Sequence, residues 1–269
     1  MTAPFAGVVG WPAVHSLSPL MMKTWLEASG LSGAYGVFEV PPERFDAFLR
    51  AGPALGLTGL NVTLPHKGAA LALADRVTPA AQAVGAANRI VFTQAGIEAD
   101  NTDIDGVAAA LAGEPGAGPA VLIGAGGAAR AALHHLRGQD RAVRIVNRTP
   151  ERAEVLASSM GVDADISTDL DQALDGASLV INATSLGMSG RPPLTPDFTR
   201  CAPGALAFDM VYTPLATGFL TAAAAAGLNT VDGLTMLIGQ ARPSFEAFFG
   251  APAPADAAVR EILEQALER

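Results

Sequence analysis

An apolar run that ends in a glycine turn and passes at once into a helix-forming run constrains this chain more than any other feature. It reads Val121-Leu122-Ile123-Gly124-Ala125-Gly126-Gly127-Ala128-Ala129-Arg130. Glycines let backbone come close to an anion, and a helix start offers unpaired N–H groups with a partial positive charge. That chemistry suits a pyrophosphate. The turn lies near the middle of 269 residues, so a domain's worth of chain precedes it and must build something else. The length itself predicts about two domains.

Half of the residues are apolar and 16% are charged, which is ample for a core. The net charge of −9 argues against nucleic acid or an anionic membrane as the main partner, although a local pocket can still be basic. The single Cys201 rules out an intramolecular disulfide and fits a reducing compartment. Residues 1–11 lack a basic start followed by an apolar core, and the apolar stretch at 219–226 is too short and alanine-rich to span a bilayer. A cytoplasmic chain without a membrane partner is the expectation. Nothing in the residues sets the oligomeric state, for which a homodimer is the expected alternative to a monomer.

Short apolar runs alternate with helix-period stretches from end to end. Candidate strands are Phe5–Gly10, Ala34–Val40, Leu57–Thr63, Arg89–Phe92, Ala120–Ile123, Ala142–Asn147, Leu179–Asn182, Ala207–Met210 and Thr230–Val231, with a hairpin-like stretch over Arg89–Asp100. Helices are expected to begin near Pro19, Pro42, Pro79, Asp105, Ala128, Pro150, Thr217, Leu234 and Ala255. Ser18-Pro19 and Thr149-Pro150-Glu151 read as N-caps with proline in the first turn. Gly30, Gly138, Gly161 and Gly227 stand where helices should stop. The alternation predicts an α/β protein with parallel strands and helices on both faces. Gly113–Pro119 is the candidate link into the second domain, and the return link is placed near Gly233, after which the C-terminal helices should pack on the first domain.

In the second half, the strand after the glycine turn ends at Asn147-Arg148-Thr149, with Arg152 one helical turn later. An acid here would accept the ribose hydroxyls of NAD. Guanidiniums instead bind a 2′-phosphate bidentately, so the residues read as NADP-binding. Asn182-Ala183-Thr184-Ser185-Leu186-Gly187-Met188 follows a third apolar run and suits the lip of a cofactor cleft.

In the first half, three segments place small polar groups just past apolar strands. Ser16 and Ser18 lie two apart in a proline-bounded stretch, so both hydroxyls can face one side. In Gly59-Leu60-Asn61-Val62-Thr63-Leu64-Pro65-His66-Lys67, alternation puts Asn61 and Thr63 on one face, and Pro65 turns the chain to leave Lys67 at the mouth. The third segment is Asn101-Thr102-Asp103. Oxidising a secondary alcohol requires a proton to leave as the hydride leaves. A lysine with an orienting aspartate can take it, so Lys67 and Asp103 read as an acid–base pair. The four histidines are scattered and Cys201 has no partner, so no metal set is expected.

The chain resembles the shikimate dehydrogenase family along essentially its whole length. The resemblance rests on ordered motifs: HSLSP at His15–Pro19, NVTLPHK at Asn61–Lys67, GAAN at Gly85–Asn88, NTD at Asn101–Asp103, GAGGAAR at Gly124–Arg130, NRT at Asn147–Thr149, NATSLGM at Asn182–Met188, DMVYTP at Asp209–Pro214 and DGLTMLIGQ at Asp232–Gln240. It implies two α/β domains with a cleft between them: a substrate domain with a mixed sheet (1–104 plus 234–269) and a Rossmann-like NADP domain (105–233). The implied reaction is reversible NADPH-dependent reduction of 3-dehydroshikimate to shikimate, in aromatic amino acid biosynthesis. Ser16, Ser18, Asn61, Thr63, Lys67, Asn88, Asp103, Tyr212 and Gln240 would surround the substrate, with Lys67 and Asp103 catalytic. Gly124, Gly126, Gly127, Ala128, Asn147, Arg148, Thr149 and Arg152 would hold NADP, and Thr184, Met210 and Gly233 would line its nicotinamide side. Two departures stand out: Met22-Lys23 where the family commonly has His-Asn, and Arg89 where it usually has threonine. They bear on substrate preference, since relatives also act on quinate. A quinate/shikimate dehydrogenase is thus one alternative, and an NADP sensor without turnover is another. A glutamyl-tRNA reductase would need an early cysteine, which this chain lacks.

Overall fold

The computed structural model describes residues 3–268. The chain divides into two compact units, one of Met1–Asp103 with Gln240–Arg269 and the other of Ile104–Gly239. Each is an α/β layer structure, one with a mixed sheet and one with a parallel sheet, as the family resemblance implies.

The first unit is built on β1 (Phe5–Gly10), β2 (Ala34–Glu39), β3 (Leu57–Val62), β4 (Arg76–Val77), β5 (Arg89–Thr93) and β6 (Gly96–Asp100). Their order is β2-β1-β3-β5-β6-β4. β1 pairs in parallel with β2 and β3, while β3/β5 and β5/β6 are antiparallel. The hairpin reading of 89–100 is therefore correct, and it makes this sheet mixed rather than parallel. Its helices are α1 (Ser18–Ser29), α2 (Phe45–Ala51), α3 (Lys67–Leu73) and α4 (Pro79–Val84). Val9, Leu60, Val62, Phe45, Leu49 and Ile90 form one buried cluster between the sheet and these helices. The apolar positions of β1 and β3 supply it because both strands are interior and buried on both faces.

The second unit is built on β7 (Ala120–Ile123), β8 (Val143–Val146), β9 (Ala164–Ser167), β10 (Leu179–Asn182), β11 (Leu206–Asp209) and β12 (Asn229–Val231), with α5 (Asp103–Ala110) opening at the boundary. All strands are parallel, in the order β12-β11-β10-β7-β8-β9. β7 is the first strand of the unit and the chain winds outward from it in both directions. Its C-terminal end is thus the topological switch point, where such sheets bind ligands. β7, β10 and β11 are buried at every residue, and helices α6 (Gly127–Leu136), α7 (Pro150–Met160), α8 (Leu170–Ala173) and α9 (Gly218–Ala225) accompany them.

Several local expectations shift. Ser18 is not the N-cap of α1 but its first residue; Leu17 occupies the cap, and no side chain bonds there. Thr149 does cap α7 in backbone terms, yet its side chain makes no cap bond. Residues 113–119 run from α5 to β7 inside the second unit, so they are not the boundary. The return is made within one continuous helix, α10 (Gly233–Phe249), at Gly239–Gln240 rather than ahead of it. Gly239 is there because α10 lies close on α5: a Cβ would stand 2.7 Å from Ala109 Cβ. The last helix, α11 (Asp256–Leu267), packs on α1 in the first unit.

Candidate active site

In the first unit, Lys67 opens α3 and Asp103 opens α5, each just past the C-terminal end of a strand or its turn. The sheet brings them together. Val62 N donates to Asn88 O at 2.8 Å, Asn88 N to Asp100 O at 3.0 Å, and Ala87 N to Lys67 O at 2.9 Å. The ends of β3, β5 and β6 are thereby tied, and Lys67 Nζ donates to Asp103 Oδ2 at 2.6 Å. The two side chains are 27% and 11% exposed, so the pair is shielded yet reachable from solvent.

Asn88 organises this pair from below. Its side chain is buried, with Nδ2 donating to Asp103 Oδ1 at 2.8 Å and reaching Gln240 Oε1 at 3.3 Å. Its Oδ1 accepts from Thr102 N at 2.7 Å. Asp103 N in turn donates to Asn101 Oδ1 at 3.0 Å. Both carboxylate oxygens of Asp103 therefore face donors. His66, just before Lys67, is buried, stacks on Phe45 with ring centroids 4.3 Å apart, and holds Val40 O at 2.7 Å. This pins the turn from which Lys67 projects.

Asn61 is also buried. Its Oδ1 accepts from Tyr35 OH at 2.7 Å, and its Nδ2 donates to Ser244 Oγ at 2.8 Å. Burial raises the pKa of the Tyr35 phenol well above its ordinary value, so this oxygen keeps its proton. Ser18 N donates to Ser16 Oγ at 3.2 Å, which leaves the Ser16 hydroxyl proton available. Thr63 covers Gly10, where a Cβ would collide with its methyl. The first unit thus gathers Lys67, Asp103, Asn88 and Gln240 in one network and Asn61 beside it through Asn88 O. Tyr212 belongs to the second unit, where burial raises its pKa.

Neither departure in sequence adds a group to this network. Met22 is fully buried in α1, and Lys23 lies in solvent beside Glu27 at 3.8 Å. Arg89 pairs with Asp100, its cross-strand neighbour, and donates to Pro243 O at 2.8 Å. Tyr35 and Ser244 were not legible as site residues, because only strand register and the C-terminal helix bring them to Asn61.

In the second unit the glycine turn ends β7 at the switch point. Gly124 has φ +110°, and a Cβ there would stand 2.8 Å from Thr184 Cγ2 and 3.2 Å from Ala183 O. Gly126 caps α6 and Gly127 begins it, and Cβ atoms added to either would meet nothing within 4 Å. Open space above a helix N-terminus is what a pyrophosphate requires. A cavity of about 310 Å³ adjoins it, lined by Ala125, Arg130, Glu151, Arg152, Val155 and Leu156. Ala128 lies in the first turn of α6, and Asn147 Nδ2 donates to Thr149 O at 2.7 Å to shape the bend after β8. Arg148 and Arg152 are exposed, and neither guanidinium has a partner among the described residues. Open backbone N–H groups beside unpaired cations fit a dinucleotide carrying an extra phosphate. On the β10 side, Met210 N donates to Asn182 O at 3.0 Å, and Gly233 packs against the Met210 carbonyl where no Cβ would fit. Thr184, Met210 and Gly233 are thus joined through Asn182.

Three family models cover the chain: the shikimate dehydrogenase substrate binding domain over residues 8–90, shikimate / quinate 5-dehydrogenase over 108–188, and the shikimate 5′-dehydrogenase C-terminal domain over 233–264. Shikimate dehydrogenase (NADP(+)) of Maricaulis maris is 50% identical over 255 residues, covering 93% of this chain and 91% of that protein. The enzyme of the same name from Acidiphilium cryptum is 46% identical over 264 residues, covering 97% and 96%. The crystal structure of shikimate 5-dehydrogenase from Thermus thermophilus in complex with NADP(H) and shikimate matches with a TM-score of 0.86 at 36% identity, covering 98% of this chain and 99% of that one. With its fold, its ordered motifs and relatives of this similarity, the chain belongs to the shikimate dehydrogenase family.

Proposed function

We propose that this protein catalyses the reversible, NADP-dependent interconversion of shikimate and 3-dehydroshikimate, with Lys67 and Asp103 handling the proton. The observation that carries the reading is the 2.6 Å contact between Lys67 Nζ and Asp103 Oδ2, on a frame of buried amides. When bound, the cofactor supplies or accepts a hydride. The residues of this chain then have three tasks: holding the substrate, holding the cofactor, and moving one proton.

Lys67 is the better proton donor of the pair. Asp103 accepts from Lys67 at one oxygen and from Asn88 at the other, so neither oxygen is left over to offer a proton. An ammonium has three N–H groups, so those not given to Asp103 remain for the substrate carbonyl oxygen. In reduction Lys67 gives that oxygen its proton as the carbon receives the hydride; in oxidation the neutral amine takes it back. Asp103 stays charged, orients the ammonium and stabilises it.

Substrate hydroxyls call for neutral donors and acceptors. Thr63, Asn88 and Gln240 supply them in the first unit, with Asn61 as an acceptor whose N–H groups are turned to Ser244 and Asn88 O. The Ser16 and Ser18 hydroxyls meet the carboxylate. A substrate lacking one hydroxyl would leave a buried polar group unpaired, so such sites discriminate strongly. Backbone at Gly124, Gly126, Gly127 and Ala128 holds the pyrophosphate, while Asn147, Arg148, Thr149 and Arg152 hold the 2′-phosphate and its ribose. The test is a steady-state comparison of shikimate and quinate, each with NADP and NAD. Shikimate with NADP should be the best pair by a wide margin. Equal turnover of quinate with NAD would favour the broader dehydrogenase instead, and cofactor binding with no turnover would favour a sensor.

A further inference from the structure

Asp209 ends β11 with its side chain wholly buried, and its hydrogen-bond partners are all uncharged. Burying a carboxylate without a counter-ion is costly, so several strong donors must compensate. Three do. Asn182 Nδ2 donates to Oδ1 at 2.9 Å and Val211 N to the same oxygen at 3.0 Å, while Thr217 Oγ1 donates to Oδ2 at 2.7 Å. These donors come from the ends of β10 and β11 and from the cap of α9.

The Asn182 side chain passes the constraint onward. Its Oδ1 accepts from Thr184 N at 3.1 Å and from Thr184 Oγ1 at 2.7 Å, and its Nδ2 also reaches Leu186 O at 3.1 Å. Thr184 Oγ1 then accepts from Leu186 N at 3.1 Å. Because Asp209 can only accept, it forces the Asn182 amide nitrogen toward itself and the carbonyl oxygen toward Thr184. The carboxylate, together with Leu186 O and Thr184 N, thereby fixes the orientation of the Asn182 amide that holds the 182–186 segment. That segment stands against Gly124, at the switch point between β7 and β10. The unpaired cations lie on the other flank, around α7 and the end of β8. A dinucleotide spans the switch point, so its phosphorylated adenosine lies on the β8 side and its nicotinamide half on the β10 side.

We propose that Asp209 is a positioning residue for the nicotinamide half of the cofactor, acting through Asn182 on the segment 182–186. The inference rests on the NADP reading above. Its test separates the two halves of the ligand: calorimetric titration of the full-length protein with NADP+ and with adenosine 2′,5′-bisphosphate, which lacks the nicotinamide. Asp209→Asn is isosteric but cannot accept from all three donors, and Asn182→Ala cuts the relay while leaving the carboxylate in place. Each should weaken NADP+ by about tenfold, the scale of one unpaired buried partner, and leave the bisphosphate unchanged. In Asn182→Ala the KM for shikimate should stay at the wild-type value. Equal weakening of both ligands would mean a general defect of the unit and would overturn the proposal, as would unchanged NADP+ binding in both variants. Should Asp209→Asn fail to fold, Asn182→Ala decides by the same criterion. If wild-type protein binds neither ligand, it is the cofactor reading that falls.

Discussion

Replacing Lys67 by arginine separates charge from proton transfer at the centre of this site. Arginine keeps a cation that can bond Asp103, but its guanidinium does not release a proton under ordinary conditions. If Lys67 only balances the charge of Asp103, Lys67→Arg should be nearly as active as wild type. If Lys67 moves the proton, Lys67→Arg and Lys67→Ala should both be slow. General acid–base catalysis by a positioned side chain contributes about 10²–10⁴-fold, or about 3–5 kcal/mol of barrier. Stability should change much less. The pair is partly exposed, and in Lys67→Ala the Asp103 carboxylate keeps Asn88 at 2.8 Å and its place at the first turn of α5. Loss of a pair of this kind costs about 1 kcal/mol or less, since water screens it and the helix N-terminus favours the remaining anion. The assay is the steady-state rate of shikimate oxidation for the three proteins, with NADP+ affinity measured by titration and unfolding followed by heat. Proton transfer through Lys67 predicts kcat down at least about a hundredfold in both variants, with cofactor affinity and melting temperature near wild type. An arginine variant nearly as fast as wild type would refute the assignment, and parallel losses in kcat and NADP+ affinity would place Lys67 in the wrong site.

Three further outcomes follow from the same geometry. Asn88→Ala removes a buried donor from Asp103 and an acceptor from Thr102 N, so stability should fall by about 2–3 kcal/mol and kcat by about tenfold, with NADP+ affinity unchanged; an active variant of wild-type stability contradicts the role given to Asn88. Arg148→Ala and Arg152→Ala should each weaken NADP far more than NAD, by about tenfold on the strength of a charge-assisted pair, as read in KM for the two cofactors; equal effects on both would count against phosphate recognition. Burial holds the Asp209 carboxyl above the usual carboxylate range, so its stabilising contribution is present below pH about 4 and is lost as pH rises through the raised value. Asp209→Asn has no such titration, and its melting temperature relative to wild type should rise between acid and neutral pH; a constant difference across that window contradicts the assignment.

Much of the fold was legible because the strongest local signals coincide with interior strands. β1, β7 and β10 begin and end where their apolar runs do, since a strand buried on both faces leaves no polar residue to blur its limits. β9 and β4 were not legible. Both are short edge strands with exposed or half-buried positions, and pairing with β8 and β6 rather than composition makes them strands. α3 was missed because Lys67 follows Pro65 and His66 without a cap signal; only the packing of His66 on Phe45 and Val40 settles the turn. Residues 113–119 fail as the link between the units because glycine and proline mark any loop, including one inside a domain; the units divide at Asp103/Ile104, one residue from the boundary that the resemblance implies. Arg89 could have met an anion or solvent by sequence, and its register opposite Asp100 decides otherwise.

What the amino-acid order determined by itself was chemistry that is local: a glycine turn between a strand and a helix, cations rather than an acid after the next strand, and hydroxyl, amide, lysine and aspartate groups at strand ends. Such groups act through their own backbone and near neighbours, so spacing along the chain is enough to read them. What the tertiary structure decided was every relation between distant segments. The pairing of β3, β5 and β6 places Lys67 against Asp103, Asn88 becomes their shared support, and Asn182 and Asp209 become one relay. These relations depend on sheet register and packing, where a shift of one residue turns a side chain to the opposite face, and no local pattern encodes that choice.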